Sequence, residues 1–370
     1  MQKTARSLTY SNTGVSYEDM DPVKINAQKA AKSTASNISD LGEKELPKSR
    51  GESAFVYDCI DHFRALVIEG LGTKNLVADE MAKITGKSYY QQIAQDTVAA
   101  IVNDLVTVGA RPEIVNAYFA VGDSAWFKDK RRVDDLIIGW KKACDLSGAT
   151  WGGGETPTLS GIVNPKTIEL GGAATGIIKP KSRLVLGDKL QAGDTIVLFT
   201  SSGIHANGLT LTRKIAKNLK KGFGTEMPSG KLFGEAILSP SIIYAKVIED
   251  IAKSKVDIHY MVNITGHGWR KIMRYTKRLR YVIEKIPSPQ EEFLFMQKHG
   301  PITDEEAYAT FNMGAGFAIF IKNSDFAKVE QVSKIHKIKV FNAGYVEEGQ
   351  KEVVIKPINI TYTAETLDLR

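Results

Sequence analysis

The stretch Ile93-Ala-Gln-Asp96-Thr-Val98-Ala-Ala-Ile101-Val102-Asn103-Asp104-Leu105-Val106-Thr-Val-Gly109-Ala-Arg-Pro112 decides how the chain is read. Ile93, Val98, Ile101, Val102, Leu105 and Val106 recur at helical spacing, so a helix with one face in a core is expected from Gln91 to Val108. Gly109 is expected to end it as the residue after the C-cap, with Pro112 just beyond. Asn116-Ala-Tyr-Phe-Ala-Val121 then reads as a strand. A second helix from about Asp129 to Ser147 would bury Val133, Leu136, Ile137 and Trp140 before Gly148 stops it. Helix, strand and helix in this order point to a mixed α/β fold.

The polar residues of the first helix are arranged as well. Asp96 and Asn103 are two helical turns apart and share a face, with Asp104 at its edge. Oxygen groups gathered this way suit magnesium, which takes one or two carboxylates beside phosphates and water. The opposing reading is a solvated acidic face, yet Asn103-Asp104 falls among apolar neighbours, where an unpaired acid is costly.

Outward from this helix, a polar Lys/Ser-rich stretch over 20–50 reads as one amphipathic helix and a loop. Gly152-Gly-Gly-Glu-Thr156 reads as a glycine-rich loop and Gly171-Gly-Ala-Ala-Thr-Gly-Ile-Ile178 as a glycine-loosened strand. Lys179-Pro-Lys-Ser-Arg183 is the best linker, dividing the chain into domains at 1–180 and 185–370. Beyond it, Asp194-Thr-Ile-Val-Leu-Phe-Thr200 reads as a buried strand and Leu209 to Leu219 as a helix. Ser239-Pro240 is expected to cap a helix ending near Lys253. Gly314 to Ile321 reads as a strand, Phe326 to Ile335 as a short helix and Lys339 to Val346 as a further strand.

Composition bounds the function classes. A length of 370 residues favours two domains, and 43% apolar with 25% charged residues excludes collagen-like, disordered and disulfide-scaffold proteins. Cys59 and Cys144 are expected to be buried free thiols. With no signal-like start and no run of 18 apolar residues, a soluble cytoplasmic protein without a membrane partner is expected. The net charge of +7 is spread out, densest over Arg270-Lys-Ile-Met-Arg-Tyr-Thr-Lys-Arg-Leu-Arg280. No nucleic-acid reading motif accompanies that stretch, so no nucleic-acid partner is expected. It reads as a solvated helix face or as an attraction for a phosphorylated small molecule.

Three further loops could carry chemistry. Glu69-Gly70-Leu-Gly72-Thr73-Lys74 is either a tight turn or a cradle in which backbone N–H groups and a lysine meet phosphate. The loop before Glu155 could end in a ligand contact or simply turn with that residue exposed. Ser201-Ser-Gly-Ile-His205-Ala-Asn207-Gly208 lies between a strand and a helix, where an anion or polar ligand fits. There His205 could act on a ligand or only cap the helix.

The order of these loops carries a resemblance. Asp104, four residues, then Gly109-Ala-Arg-Pro112, with Gly-x-Gly-Thr-Lys before it and Gly-Gly-Glu-Thr after it, resembles the aminoimidazole ribonucleotide synthetase superfamily. Tyr10-Ser-Asn-Thr-Gly14-Val15, Ser201–Gly208, Thr265-Gly-His-Gly268 and Thr310-Phe-Asn-Met-Gly-Ala-Gly316 are similar to further motifs of that family, in co-linear order. The resemblance implies a two-domain α/β (α+β) fold, its N-terminal sheet completing a barrel across a homodimer and its C-terminal domain α/β. It implies ATP-dependent cyclisation of formylglycinamidine ribonucleotide to aminoimidazole ribonucleotide, with ATP and Mg2+ as cofactors and a phosphorylated small molecule as partner.

By the same resemblance, Glu69, Gly70, Gly72, Thr73 and Lys74 lie on the ATP-phosphate loop with Asp96, Asn103 and Glu155 near it. Glu69, Asp96 and Asp104 would hold the metal, and Asp104, His205 and Asn207 would be catalytic. The chain departs from the family pattern in Glu69 for aspartate, in the missing glycines near Ser49–Phe55 and in His267 for glycine. Arg274 still matches. Alternatives from the residues are a thiamine-monophosphate kinase-like enzyme and a non-catalytic nucleotide-binding paralogue.

Overall fold

The structure, a computed structural model, describes residues 17–367; the segment 8–15 lies outside them. Helix α1 (Tyr17–Lys32) leads into the short strand β1 (Lys44–Glu45), then β2 (Phe55–Cys59) and β3 (His62–Gly70). Helices α2 (Lys74–Thr85) and α3 (Tyr90–Val106) follow, then β4 (Arg111–Val121), α4 (Lys130–Ser147), β5 (Thr150–Glu155) and β6 (Ile168–Ile178). The strands form one mixed sheet in the order β1-β2-β3-β6-β4-β5, with β5 parallel to β4 across α4 and the other pairs antiparallel.

After the linker come β7 (Thr195–Thr200), α5 (Leu209–Lys217), α6 (Phe233–Ile237), α7 (Ala245–Lys253), β8 (Ile258–Asn263) and β9 (Leu279–Ile283). The chain continues through α8 (Glu291–His299), α9 (Asp304–Thr310), β10 (Ala315–Ile321), α10 (Phe326–Ile335), β11 (Val340–Glu348), β12 (Glu352–Ile355) and β13 (Ile360–Thr363). The second sheet runs β13-β12-β9-β11-β7-β10-β8, antiparallel except where β12 pairs with β9. Its central strands β7 and β10 are apolar runs covered on both faces.

Helix α3 joins the halves. Its apolar residues pack on β3, β4 and β6 and against α4, while other positions meet α7 and β8 of the second half. The α3–α4 approach is so close that a Cβ at Gly139 would stand 2.6 Å from Gln91 Cα. The first sheet has only one covered face. Along β3, Ala65 and Val67 are buried, whereas Leu66 and Ile68 alternate outward, and Ile68 is 79% exposed.

Several sequence expectations need correction. Helix α3 is capped by Thr107, and Gly109 takes its left-handed turn two residues later. Ile137 is 45% exposed, because it lies beside the buried stripe of Leu136 and Trp140. The glycines at 152–154 are edge strand β5, paired with β4. A Cβ at Gly154 would come within 2.2 Å of the Ala117 carbonyl, so that pairing requires glycine. Ser239-Pro240 does not cap α7, whose N-cap is Tyr244. The basic stretch is not a solvated helix face: Lys271 is buried, Arg274 donates to Gly51 O, and Arg280 pairs with Glu352. Cys144 is buried and Cys59 half-buried, both free thiols. Among the described residues, no helix is long and apolar enough to cross a membrane.

One buried pair beside β7 makes stability depend on pH. His259 Nδ1 lies 2.8 Å from Asp194 Oδ2 with both side chains buried. The hydrogen bond to Asp194 raises the imidazole above its ordinary value, with burial acting the other way. The folded state therefore binds the proton more tightly than the unfolded chain. The resulting stabilisation is complete below about pH 6.5 and is lost as pH rises through the folded value. Denaturant titrations should show stability falling over that window in the wild type and a flatter profile in His259→Gln.

Candidate functional site

The two halves enclose a cavity of about 540 Å³. The first half supplies Lys24 and Gln28 from α1, residues 49–53 and Phe55, Glu69 and Gly70 at the end of β3, and Ala100 and Asp104 from α3. The second half supplies Ala206 and Asn207 from the loop after β7, and Thr265, Gly266, His267, Lys271 and Arg274 from the turn after β8. Acidic and basic groups thus face one another across an interdomain space.

The acidic side is built by two element ends. Glu69 is the penultimate residue of β3, where the strand leaves the sheet, and Asp104 is in the last turn of α3. Asp104 is held by Asn263, whose Nδ2 donates to its Oδ1 at 2.6 Å. Burial, together with the neighbouring Asp104 carboxylate, pushes Glu69 up to about 7, against the pull of Lys271 and Arg274. A carboxylate pair of this kind favours a cation between its members and phosphate oxygens. Among the described residues, no three His, Cys, Asp or Glu side chains gather tightly enough to hold a metal unaided. A magnesium ion at this pair would need oxygen ligands beyond Glu69 and Asp104.

The basic side comes from the stretch after β8. Lys271 is buried, its Nζ donates to Thr265 Oγ1, and the acidic group acting on it most strongly is Asp104. Arg274 donates to Gly51 O at 2.8 Å and to Ser53 Oγ at 2.9 Å, which ties the 49–55 segment over the cavity. Arg50 is locked to Glu45. The charge run in the sequence signals these groups, but its spacing alone does not show that they converge on Asp104.

A second cavity of about 670 Å³ lies on the uncovered face of the first sheet. It is lined by Ile68, Asn116, Tyr118, Glu155 and Glu169 among glycines, and it shares Glu69 and Gly70 with the first. Glu155 thus stands near Glu69 but outside the interdomain space.

Other expected site residues stand elsewhere. Lys74 does not reach either cavity: it is fully buried, 2.7 Å from Asp96 Oδ2, and donates to Ser239 O at 3.0 Å. Asp96 is equally buried, and its Oδ1 accepts from the Ser241 N–H and hydroxyl. Asn103 donates to Ile242 O and accepts from Tyr244 N–H. The polar face of α3 therefore binds the backbone of segment 239–244 of the other half. Apolar packing alone cannot satisfy that irregular backbone, which explains why polar residues occupy a buried helix face. Gly72 and Thr73 form the turn into α2, with Gly72 at φ +75° and Thr73 as its N-cap.

His205 is also displaced from its expected place. Its backbone adopts φ +58°, and the side chain is buried. Nε2 accepts from Ser202 N–H at 3.3 Å and weakly from Ile242 N–H at 3.5 Å. Burial, reinforced by Lys74, pushes the imidazole down to about 3, so it is neutral. Only Asn207 of this loop's two expected residues lines the cavity. His205→Asn should therefore lower folding stability by about 1–3 kcal/mol, the cost of disturbing buried hydrogen bonds. Turnover per folded molecule should stay within a few-fold of wild type; a hundredfold loss at full folding would return His205 to the chemistry.

Known proteins bear on the same regions. The family model "AIR synthase related protein, N-terminal domain" matches residues 51–178, and its C-terminal counterpart matches residues 191–356. A phosphoribosylformylglycinamidine cyclo-ligase of Methanococcus maripaludis is 31% identical over 318 residues, 84% of this chain and 87% of that protein. The protein of that name from Methanocaldococcus jannaschii is 30% identical over 345 residues, 92% of this chain and 93% of that protein.

Among solved structures, AaThiL complexed with AMPPCP and TMP superposes with a TM-score of 0.59 at 16% identity, covering 85% of this chain and 90% of that one. Hydrogenase maturation protein HypE in complex with ATP gives 0.59 at 17% identity, covering 82% and 85%. At those identities the two structures establish a shared fold. The family models over most of the chain and the relatives matched nearly end to end carry the rest: the chain belongs to the AIR synthase related proteins, in the phosphoribosylformylglycinamidine cyclo-ligase family.

Proposed function

We propose that this protein closes the imidazole ring of aminoimidazole ribonucleotide from formylglycinamidine ribonucleotide, using ATP, in purine biosynthesis in the cytoplasm. The observation that carries the reading is the interdomain cavity, where Glu69 and Asp104 oppose Lys271 and Arg274, in a chain with end-to-end cyclo-ligase relatives. The formyl amide oxygen attacks the γ-phosphorus of ATP, forming an O–P bond as the bond to ADP breaks. The ring-forming nitrogen then attacks the activated carbon, phosphate leaves with the former formyl oxygen, and the nitrogen loses a proton.

Such a sequence needs positioning and charge neutralisation more than a protein nucleophile. Glu69 and Asp104 would hold magnesium, which supplies neutralisation of the polyphosphate. Lys271 and Arg274 bring positive charge toward the transferring group, and Asn207 can orient the amide from the opposite wall. Glu155 and Gly70 suit the nucleotide in the second cavity. Lys74, Asp96, Asn103 and His205 support the site by holding the two halves in register, with 1–180 and 185–370 as its domains.

The uncovered face of the first sheet supports a homodimer. Leu66, Ile68, Ile114 and Tyr118 present apolar surface around the second cavity, as an unpaired half of a barrel would. Burying one such aliphatic side chain is worth about 1.5–3 kcal/mol. Sedimentation should give a dimer at micromolar concentration and a shift toward monomer in Ile68→Lys; a stable wild-type monomer would count against it.

The function itself is tested by ADP release with formylglycinamidine ribonucleotide against thiamine monophosphate. Release with the first alone is expected. Release with the second alone, or ATP binding with neither, would overturn it.

A further inference from the structure

We propose that the Thr265 hydroxyl is a phosphate-contacting group, donating its hydrogen to a phosphoryl oxygen of the nucleotide or of the ribotide. The inference rests on the cyclo-ligase reading. Thr265 stands just after β8, half-buried, and lines the interdomain cavity with Lys271 and Arg274. Its Oγ1 accepts from Lys271 Nζ. Burial lowers the Lys271 ammonium, while Asp104 and, less strongly, Glu69 act to keep it charged. An ammonium only donates, so in this bond Thr265 lends its oxygen and keeps its hydrogen. Among the described residues no acceptor meets that hydrogen. The cation at the oxygen also polarises the O–H bond, which strengthens it as a donor. A polarised donor without a partner, on a cavity wall, is placed for a ligand oxygen.

The neighbouring groups select the chemistry of that oxygen. Lys271 gives Thr265 only part of its donor capacity. Arg274 spends Nε and Nη2 on Gly51 O and Nη1 on Ser53 Oγ, which leaves an N–H on each Nη. Donors therefore outnumber acceptors where Thr265, Lys271 and Arg274 meet the cavity. A ligand group there must bring several acceptor oxygens and negative charge, as a phosphoryl group does. An amide or a sugar hydroxyl brings hydrogens of its own and leaves donors unmet. Both substrates of the cyclo-ligase reaction carry phosphate, so the shared chemistry is a phosphoryl oxygen and its source is read from experiment.

Thr265→Val removes the hydroxyl and keeps the shape, whereas Thr265→Ser keeps the hydroxyl. Both are compared with wild type in steady-state turnover of formylglycinamidine ribonucleotide with ATP. Calorimetric titrations with ADP and with ribose 5-phosphate run alongside. Thr265→Val is expected to lose about tenfold to a hundredfold in kcat/KM, the scale of one hydrogen bond to a charged group. Thr265→Ser, which keeps the donor, should stay within a few-fold of wild type. A fall in kcat or weaker ADP binding assigns the contact to the nucleotide. A raised KM for formylglycinamidine ribonucleotide with weaker ribose 5-phosphate binding assigns it to the ribotide.

Thr265→Val within a few-fold of wild type in every measurement would overturn the proposal. Equal losses in Thr265→Val and Thr265→Ser would do the same, since packing alone would then explain them. So would a raised KM for formylglycinamidine ribonucleotide with unchanged ribose 5-phosphate binding, which moves the contact off the phosphate. Denaturant titration checks folding. If Thr265→Val unfolds, Thr265→Cys, of similar shape but with a weak S–H donor, takes its place under the same outcomes. If the wild type releases no ADP with formylglycinamidine ribonucleotide, yet ADP or ribose 5-phosphate binding still separates valine from serine, the contact stands and the assigned substrate falls.

Discussion

Asp96→Ala is expected to destabilise the protein by about 3–5 kcal/mol, the cost of leaving a buried charge without its partner. Lys74 and Asp96 are both fully buried and 2.7 Å apart. Burial raises the Asp96 carboxyl and lowers the Lys74 ammonium, and their mutual attraction opposes both effects. Removing the carboxylate strands the ammonium and frees Ser241 N–H from its acceptor. It thereby releases segment 239–244 from α3, so loosening of the interface between the two halves should accompany the loss. Asp96→Ala combined with Lys74→Met should recover much of it, because the double change leaves no unpaired charge. Denaturant titration decides: a loss under about 1 kcal/mol in the single variant would mean that the pair does not hold the halves together.

The second large effect is catalytic. Asp104→Asn should lower kcat/KM by a factor corresponding to at least about 2 kcal/mol, on the scale of removing one charge-stabilising group at a reacting centre. The substitution keeps shape, and its amide oxygen can still accept from Asn263, so folding should be preserved. What it removes is half of the carboxylate pair that faces Lys271. Loss of rate should therefore come with a weaker response to magnesium. Wild-type turnover with unchanged magnesium dependence would reduce Asp104 to a helix-end residue.

Much of this was readable from residue order. Helix α3 and helix α4 follow from apolar spacing, and α10 lies where expected. Asp104, Glu69 and Asn207, each expected at a site, do meet in one cavity. The failures share a physical cause. Sequence shows that Asp96, Asn103 and Lys74 are polar residues in apolar surroundings, but it cannot show what they face. Here they face the backbone of 239–244, from more than 130 positions away.

His205 misleads in the same way, because its position in a loop between strand and helix does not show that its ring meets the backbone N–H groups of Ser202 and Ile242. Ser239-Pro240 carries a helix-start signal, yet the following residues bind α3 through their backbone and the helix begins only after Tyr244. Conversely, the 270–280 run gives no hint from spacing that Lys271 and Arg274 line the cavity while Arg280, on β9, pairs with Glu352 of β12.

The central claim is that the interdomain cavity activates the formyl oxygen by phosphoryl transfer before the ring closes. Formylglycinamidine ribonucleotide carrying 18O in its formyl group tests it most directly. Each phosphate released is expected to carry that one oxygen, in a one-to-one ratio with aminoimidazole ribonucleotide and ADP. Unlabelled phosphate, with the label recovered in water, would contradict it.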